Sequence, residues 1–526
     1  MKRRPRLAYP LFLALLGVMG VLALLGAEKP PARGGELVLA GYLEIKNLNP
    51  LLVQDTLAIH LGDLLFNSLI KFNEHFEPVP DMAESWRVSA DGLAWEFFLK
   101  KGVRFHDGRE LTAADAAFTY NAILDPGLRT PYAALFHMVQ RFEAADRYRF
   151  RVVLKAPYAP LLFLMDKEIL PSHLVQATPA SMEAFGRRPV GSGPFRFSEW
   201  KNGEIVLLAN EDYFEGRPLL DRIVARRYPN RLGAWSALMQ GKVDVVEDLE
   251  YEDYQVIRND PRFRVYDYLS RFYYTVTFNL QDPLFSDPRL RQAVDLAIDR
   301  SDLIDKALQG WGLATTGPFQ PGTWPYNERV SDPQYRPQEA LAILRELGWR
   351  DSDGDRILDR GGKRLSFTLL ADSGDSLKEA LAKRLRWQLF QLGIEVQVEF
   401  LDLGELFEKK LLPGAFQAVL LQYNVGRDPD TRTSFFWHSG SIGQSNLARY
   451  RNERVDRLLE QGQVTPGLAE RKDIYRTVHA LLAEDRPAAF LFFRRKFLGI
   501  SSRFGGIRTT PELFYQSMRD WYAQNK

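Results

Sequence analysis

The sequence predicts a mixed α/β protein with more than one domain. Its 526 residues exceed what a single hydrophobic core usually organises. Several short stretches alternate apolar and polar residues, as half-buried strands do, and longer stretches place leucines at helical spacing. In the C-terminal half these stretches follow the order β-α-β-α-β, which predicts right-handed crossovers and a parallel sheet.

The composition is that of an ordinary soluble protein, with 45% hydrophobic and 26% charged residues. Cysteine is absent, so the sequence offers no disulfide, thiolate metal ligand or cysteine nucleophile. The formal net charge is +2, and removing the basic residues at positions 2, 3, 4 and 6 turns it into −2. This balance does not favour a nucleic acid as partner.

Residues 1–27 are typical of an export signal, because basic residues precede the apolar run Leu11–Leu25. Ala27 suits the last position before a cleavage site, although Leu25 is bulkier than the residue usually found two positions earlier. The segment also approaches the roughly 20 residues that span a bilayer. A cleaved signal peptide and an uncleaved signal anchor therefore both stay open, and a short linker, 28–34, follows.

In the N-terminal half, three local patterns predict structure. Leu93–Leu99 and Tyr148–Leu154 alternate as strands. Thr112 followed by Asp115 resembles a capping box, which predicts a helix from there to about Leu124. The turn at 201–204 lies between two apolar runs and predicts a hairpin.

In the C-terminal half, the alternating elements predict a site as well as a sheet. Strands are expected at 365–370, 394–400 and 416–421, with helices at 376–392 and about 403–412 between them. Ligands of parallel sheets bind beyond the carboxyl ends of the strands. The segments expected there are 371–373, 401–403 and the loop 422–430.

Catalytic motifs are not evident. The seven histidines include no pair at i and i+4, and the chain has no nucleophile elbow and no phosphate-binding glycine loop. The segment Asp351–Asp359 has acids at the first positions of a calcium loop, but Arg356 and Gly362 replace the glycine and the glutamate that such a loop requires. We therefore interpret it as a solvated turn between a helix and a strand.

Four groups of short motifs follow one another along the chain. They are Leu48-Asn49-Pro50 with Asp55-Thr56; Asp81–Trp86, Lys101–Gly108 and Leu111–Asp115; Gly191–Phe195, Asn210–Phe214 and Gly216-Arg217-Pro218; and Phe278-Asn279, Asp287–Ala293 and Ala297–Arg300. Each motif alone is weak. Their order and spacing resemble the peptide/nickel-type family (family 5) of extracellular solute-binding proteins that serve ABC importers.

The resemblance implies a two-lobed, type II-like periplasmic-binding-protein clamp with an extra subdomain in its first lobe. Lobe I would comprise 35–275, with an inserted subdomain at about 60–189, and lobe II would comprise 276–495. Residues 496–526 would return to lobe I, and chain crossings near 270–277 and 493–500 would form the hinge. Closure on a ligand would stabilise the form that a membrane permease recognises.

We assign several motif residues to the scaffold. Gly108, Gly191 and Gly193 are expected in turns. Arg291 and Asp299 are expected to support a helix whose apolar face enters the core.

The resemblance does not by itself decide the chemical class of the ligand. Peptide binders of this family usually carry an Asp shortly before an Asp-Pro or Glu-Pro step, where it pairs with the ligand's amino terminus. Here the step is Asp428-Pro429, the expected acid position falls near Val425, and Leu403 occupies a position that is often aromatic. A free-amine peptide and a neutral solute such as an oligosaccharide therefore both stay open. The candidate ligand-binding residues are the acids Asp372, Asp402 and Asp428, the aromatic residues Tyr423 and Trp437, and the loop residues Asn424 and Arg427.

The leading interpretation is an extracytoplasmic substrate-binding protein, not an enzyme, that captures a solute and delivers it to an ABC importer. A short peptide is the favoured ligand, and an ABC permease is the expected partner. We expect a periplasmic monomer without a cofactor or metal. The alternatives are the same clamp with an oligosaccharide or other non-peptide solute, a membrane-anchored sensor or chaperone-like receptor, and an enzyme that reuses the clamp.

Overall fold

The structure, a computed structural model, describes residues 33–53, 55–330, 334–508, 510 and 514–524. The predicted signal peptide or anchor at 1–27, with residues 28–32 of the predicted linker, lies outside the described residues. In the part of the chain that is described, no helix combines the length and the hydropathy needed to span a bilayer.

The elements predicted from periodicity all occur, with ends that shift by a few residues. The strands are β1 (Glu36–Gly41), β2 (Ile70–Phe72), β3 (Pro78–Pro80), β4 (Ala83–Val88), β5 (Ala94–Leu99), β6 (Val139–Asp146), β7 (Arg149–Leu154), β8 (Phe195–Lys201), β9 (Glu204–Ala209), β10 (Arg222–Arg227), β11 (Val245–Leu249), β12 (Phe263–Phe278), β13 (Gly312–Ala314), β14 (Asp359–Arg360), β15 (Lys363–Arg364), β16 (Ser366–Asp372), β17 (Glu395–Leu401), β18 (Ala418–Asn424), β19 (Ala488–Ser501), β20 (Phe504–Gly505) and β21 (Tyr522–Ala523).

The α-helices are α1 (Thr56–Leu65), α2 (Ala113–Leu124), α3 (Pro179–Arg187), α4 (Arg231–Met239), α5 (Tyr251–Ile257), α6 (Pro288–Leu296), α7 (Arg300–Ala307), α8 (Pro337–Glu346), α9 (Ser376–Phe390), α10 (Leu403–Glu405), α11 (Thr433–Trp437), α12 (Glu453–Val464) and α13 (Leu468–Asp485). A π-helical turn, Leu406–Leu411, continues α10. The predicted capping box is present at the start of α2, where the Asp115 carboxylate accepts a hydrogen bond from the Thr112 backbone N–H at 2.9 Å.

One mixed sheet runs through the molecule in the order β17-β16-β18-β12-β19-β11-β1-β10-β9-β8, with β13 beside β19. Strand β16 is parallel to both β17 and β18, which confirms the parallel arrangement predicted for the C-terminal half. Helix α9 covers these strands and buries Leu381, Leu385 and Leu389. The carboxyl ends of the three strands therefore share one edge of the sheet.

The two long strands β12 and β19 connect the halves of this sheet. They pair antiparallel over most of their length, but the ladder is interrupted between Leu269 and Tyr273. Beyond the interruption β12 also pairs with β18, and on the other side β19 pairs with β11. The interruption falls at the predicted hinge. The division into 35–275, 276–495 and 496–526 stays a prediction.

The predicted inserted subdomain holds a sheet of its own, ordered β4-β5-β7-β6, with α2 packed against it. Its 3₁₀ segment Ala159–Leu164 also contacts the second half of the chain. The Phe163 ring lies 5.7 Å from that of Trp324, and the Arg471 guanidinium lies over Phe163 at 5.4 Å. The inserted subdomain thus contacts the second half of the chain, and we call the arrangement in which this contact is made the closed arrangement.

The glycine assignments need one correction. Gly108 has a φ of +89° and does form a turn. Neither Gly191 nor Gly193 adopts a positive φ; Gly193 lies in a bend, while Gly191 lies in no turn or bend, so the expectation of a turn is wrong for Gly191. A Cβ on Gly191 would lie 1.8 Å from the Leu65 carbonyl oxygen, and one on Gly193 would lie 2.4 Å from the Leu64 carbonyl oxygen. Glycine is required there because two backbones approach each other closely.

The scaffold roles of the two charged motif residues are confirmed. Arg291 is buried on α6 and donates hydrogen bonds to the carbonyl oxygens of Phe285, Asp485 and Arg486. Asp299 caps α7 by accepting a hydrogen bond from the Asp302 backbone N–H.

Candidate functional site

A cavity of about 300 Å³ lies beside the interrupted stretch of the two long strands. This volume is at the lower end of the range usual for small-molecule sites. Six separate segments contribute to its wall, namely α1, the end of β11, the interrupted stretch of β12, the end of β18, β19 and the C-terminal segment. The lining residues are Thr56, His60, Glu247, Asp248, Tyr268, Ser270, Arg271, Phe272, Asn424, Lys496, Leu498, Thr510, Phe514 and Tyr515.

Helix α1 brings His60 to the cavity. The helix begins after Asp55, whose carboxylate accepts a hydrogen bond from the Ala58 backbone N–H at 3.0 Å. Its apolar side buries Leu61 and Leu65 in the core. Thr56 and His60 are one turn apart and therefore share another face of the helix, which lines the cavity.

His60, Glu247 and Tyr515 form a polar cluster in the cavity wall. The Tyr515 hydroxyl donates a hydrogen bond to the Glu247 carboxylate, and the Tyr515 ring stacks on the His60 imidazole at 4.1 Å. His60 Nδ1 lies 3.6 Å from Glu247 Oε1. The side chains of His60 and Glu247 keep 25% and 23% of their surface exposed. Because both residues line the cavity, a ligand inside it can contact them.

The charges in this cluster are coupled. Burial alone would raise the pKa of Glu247, but the neighbouring His60 and the Tyr515 hydroxyl bring the pKa below its usual value. Burial would lower the pKa of His60, but Glu247 outweighs burial and raises it. At neutral pH the cavity wall therefore carries a carboxylate beside a readily protonated imidazole.

Asp248 belongs to a different pair. Its backbone is left-handed, with a φ of +53°, and its carboxylate accepts a hydrogen bond from Lys496 Nζ at 2.6 Å. Lys496 thereby neutralises Asp248 across the cavity wall. The lining as a whole carries charges of both signs.

The predicted segment 422–430 reaches the cavity through the last residue of β18. Asn424 lines the cavity and pairs with Phe272 in the β12–β18 ladder. Arg427 donates a hydrogen bond to Asp166 of the inserted subdomain at 2.5 Å, and its guanidinium lies 4.6 Å from the centre of the Phe72 ring. Ligand contact by Asn424 and Arg427 stays a prediction.

Asp428 was predicted to contact the ligand, but its side chain is buried in the structure. It is 1% exposed and pairs with Arg471, which also pairs with Asp430, both at 2.6 Å. Burial and the nearby Asp428 raise the pKa of Asp430 to about 7, although Arg471 opposes this rise. In the closed arrangement Asp428 is therefore part of a buried ion cluster, because the Arg471 guanidinium pairs with the carboxylates of both Asp428 and Asp430.

Tyr423 and Trp437 belong to the aromatic core. They are 6% and 1% exposed, and the centres of their rings lie 6.0 Å apart. Tyr273 stacks on Tyr423 at 5.6 Å, and Phe490 lies 5.7 Å from Trp437. Neighbouring rings cover both side chains, so Tyr423 and Trp437 are core residues in this arrangement.

The two acids at the other strand ends also have local partners. Asp372 accepts a hydrogen bond from Lys378 Nζ at 2.5 Å. Asp402 caps α10 by accepting one from the Glu405 backbone N–H at 3.0 Å. Both follow a strand and precede a helix, where side-chain acceptors satisfy local donors. Neither belongs to the wall of the 300 Å³ cavity.

The acidic turn predicted between α8 and β14 is exposed. Carboxylate oxygens of Asp351, Asp353 and Asp355 lie within 4.8 Å of one another. The fourth acid, Asp359, accepts hydrogen bonds from the backbone N–H and hydroxyl of Ser352 instead. This geometry fits the interpretation as a solvated turn.

Sequence reasoning missed His60, Glu247 and Tyr515 as site residues. They come from three distant segments, and only the long-range pairing of the sheet brings them together. One local signal was available, since Glu247 and Asp248 interrupt the otherwise apolar strand β11. Two adjacent acids in a buried strand need a partner or a function.

Comparisons with known proteins agree with this architecture. The family profile described as bacterial extracellular solute-binding proteins, family 5 Middle, matches residues 77–444. The oligopeptide-binding protein AppA of Bacillus subtilis is 31% identical over 505 residues, which cover 94% of this chain and 92% of the relative. This chain belongs to family 5 of the bacterial extracellular solute-binding proteins.

Solved structures of this family superpose on the chain. AppA from Bacillus subtilis in complex with a nonapeptide is 30% identical, with a TM-score of 0.65, and the match covers 94% of this chain and 100% of AppA. NikZ from Campylobacter jejuni in complex with Ni(L-His) is 25% identical, with a TM-score of 0.68 and coverage of 93% and 99%. HbpA2 from Haemophilus parasuis, 20% identical, has a TM-score of 0.82 with coverage of 93% and 100%, and it supports the fold alone. The two-lobed α/β clamp of family 5 is therefore the fold of this chain.

Proposed function

We propose that this protein captures a short peptide in the cavity between its lobes and presents the closed form to an ABC importer. The observation that carries the proposal is the cavity beside the interrupted stretch of the two long strands, whose wall joins residues of predicted lobe I and the hinge to Asn424 of predicted lobe II. A ligand enclosed by both lobes stabilises the closed arrangement to the extent that it binds this arrangement more tightly than the open one.

The relatives favour a peptide over other solutes. AppA, the relative at 31% identity, is an oligopeptide-binding protein, and its structure contains a nonapeptide. NikZ, at 25% identity, is complexed with Ni(L-His), so a small non-peptide ligand is the main competing outcome. We assign the chain a binding role in the periplasm, with the permease as partner, a monomeric state and no catalysis.

The first experiment is mass spectrometry of the small molecules that co-purify with residues 35–526. We expect a set of short peptides after denaturation, and peptides recovered intact after incubation with the protein. A sugar or a metal complex as the single ligand would refute the peptide assignment, and cleaved peptides would indicate an enzyme.

Titration of the refolded, ligand-free protein keeps the proposal testable when nothing co-purifies. Isothermal calorimetry with alanine peptides, from dipeptide to nonapeptide, is expected to show binding with a length preference. Absence of binding across the series would refute a general peptide function. The intact mass of exported full-length protein distinguishes a cleaved signal from an anchor, because an anchor retains residues 1–27.

A further inference from the structure

We propose that Glu247, flanked by His60 and Tyr515, is the subsite that binds a positively charged ammonium group of the ligand. For a peptide ligand this group is the amino terminus or a lysine side chain. The inference rests on the proposed function and names the chemistry that one end of the ligand must carry.

The first argument is the unused hydrogen-bonding capacity of Glu247. A carboxylate offers about four acceptor positions. Glu247 accepts one hydrogen bond from the Tyr515 hydroxyl, while His60 Nδ1, at 3.6 Å, makes no hydrogen bond. The Glu247 side chain keeps 23% of its surface exposed and lines the cavity, so an ammonium group in the cavity can approach it.

The second argument is that other acids near the cleft have partners of their own. Asp248 accepts a hydrogen bond from Lys496, and Asp428 is buried against Arg471. Asp166 is bonded to Arg427. The residue near which the family resemblance places an acid, Val425, is apolar and buried. Glu247 thus places a negative charge on the cavity wall from the lobe I side of the hinge.

The third argument concerns what an incoming ammonium would displace. His60 compensates Glu247 while the cavity holds no cation, because the two side chains face each other and the pKa of His60 is raised. A ligand ammonium at Glu247 places a second positive charge beside the imidazole. Binding should therefore release a proton from His60 near neutral pH. The charged and titratable groups that act on this pair are Asp63 on α1, Tyr268 and Arg271 on β12, Lys496 on β19, Tyr42 just after β1, and Tyr515.

The test compares trialanine with N-acetyl-trialanine, which differ in the charge of the amino end. We expect acetylation to weaken binding to the unmodified protein by about 10- to 100-fold, as for the loss of a charge-assisted hydrogen bond. Glu247→Gln should weaken trialanine binding by a similar factor and leave N-acetyl-trialanine binding unchanged. Glu252→Gln, an exposed acid just beyond the same strand, is the matched control and should change neither affinity.

A purely structural role of Glu247 predicts a different result. Glu247→Gln would then weaken both peptides equally, and this outcome would overturn the proposal, as would unchanged binding of trialanine. A second variant, His60→Gln, covers the case in which Glu247→Gln does not fold. It should retain the preference for trialanine over N-acetyl-trialanine but lose the proton release, which calorimetry in phosphate and Tris buffers measures. Proton release that persists in this variant would contradict the role of His60.

Failure of the peptide function can be distinguished from failure of this subsite. If no peptide binds, the compounds that co-purify with the unmodified protein and with Glu247→Gln decide the question. Amine-containing compounds that are lost from the variant would support the subsite, although the peptide assignment fails. Ligands without a positive charge would refute the subsite.

Discussion

The ion pair between Asp166 and Arg427 is predicted to hold the closed arrangement together. It joins the inserted subdomain to the loop after β18 with a hydrogen bond of 2.5 Å. Burial alone would raise the pKa of Asp166, but Lys167, Arg427 and Arg271 outweigh burial and lower it, so the carboxylate is ionised at neutral pH. Asp166→Asn removes the charge with little change of shape.

The expected magnitude follows from the exposure of the pair. A hydrogen bond to a charged group contributes about 1.5–3 kcal/mol, and partial exposure moves the value toward the lower end. The two side chains are 16% and 28% exposed, so we use about 1.5 kcal/mol, or roughly a tenfold change in the closing equilibrium. Since the pair exists in the closed arrangement, the apparent affinity for ligand should fall by up to about tenfold.

The absence of cysteine makes the closing equilibrium directly measurable. Cysteines introduced at the exposed positions Ala90 and Lys383 provide one dye site on each side of the hinge. Energy transfer between the dyes should report a larger open fraction in Asp166→Asn. The control is Asp146→Asn, which breaks the exposed pair with Arg149 inside the inserted subdomain. Equal open fractions and equal affinities in Asp166→Asn and the unmodified protein would refute the role of the pair.

Two predictions concern stability. Arg471→Met leaves Asp428 and Asp430 buried without their cation and should lower the free energy of unfolding by about 3–5 kcal/mol at pH 7.5. Burial and Asp428 raise the pKa of Asp430, and the variant lacks the opposing Arg471. Urea denaturation should therefore show a smaller deficit at pH 5.5, and a pH-independent deficit would contradict this explanation. Gly191→Ala places a Cβ against the Leu65 carbonyl oxygen and should cost about 1–3 kcal/mol. Gly374→Ala, where a Cβ has open space, should leave the urea midpoint nearly unchanged.

The fold was predictable where burial leaves a local pattern. Strand β17 alternates because one face is covered, and the leucines of α9 repeat at helical spacing because they pack on the sheet. The pairing of β12 with β19 left no such pattern, since more than two hundred residues separate the strands. The family resemblance, not periodicity, placed the hinge. Gly191 shows the same limit, because its need for glycine arises from a backbone that is distant in sequence.

Of the predicted site residues, only Asn424 lines the cavity. Reasoning from strand ends identified the segment 422–430, and Asn424 of that segment, the last residue of β18, lines the cavity. The same reasoning overestimated Asp372 and Asp402, because an acid between a strand and a helix also serves as a cap or a local ion-pair partner. Asp428 was chosen for its charge, but the charge is neutralised by Arg471, which lies 43 positions further along the chain.

Glu247 differs from these acids in a way that bears on specificity. The caps and ion pairs of Asp402 and Asp428 are satisfied within the protein, so they contribute the same energy whichever solute is bound. Glu247 has a neutral donor and a titratable neighbour, and its charge can be compensated either by a proton on His60 or by a ligand cation. A carboxylate whose counter-charge depends on the ligand discriminates between ligands. When a neutral solute is bound, protonated His60 supplies the positive charge beside Glu247. When an ammonium group is bound, the ligand supplies that charge and His60 loses its proton. The selectivity of this clamp should therefore depend on pH near the pKa of His60, and the structural ion pairs around the cleft should not contribute to that dependence.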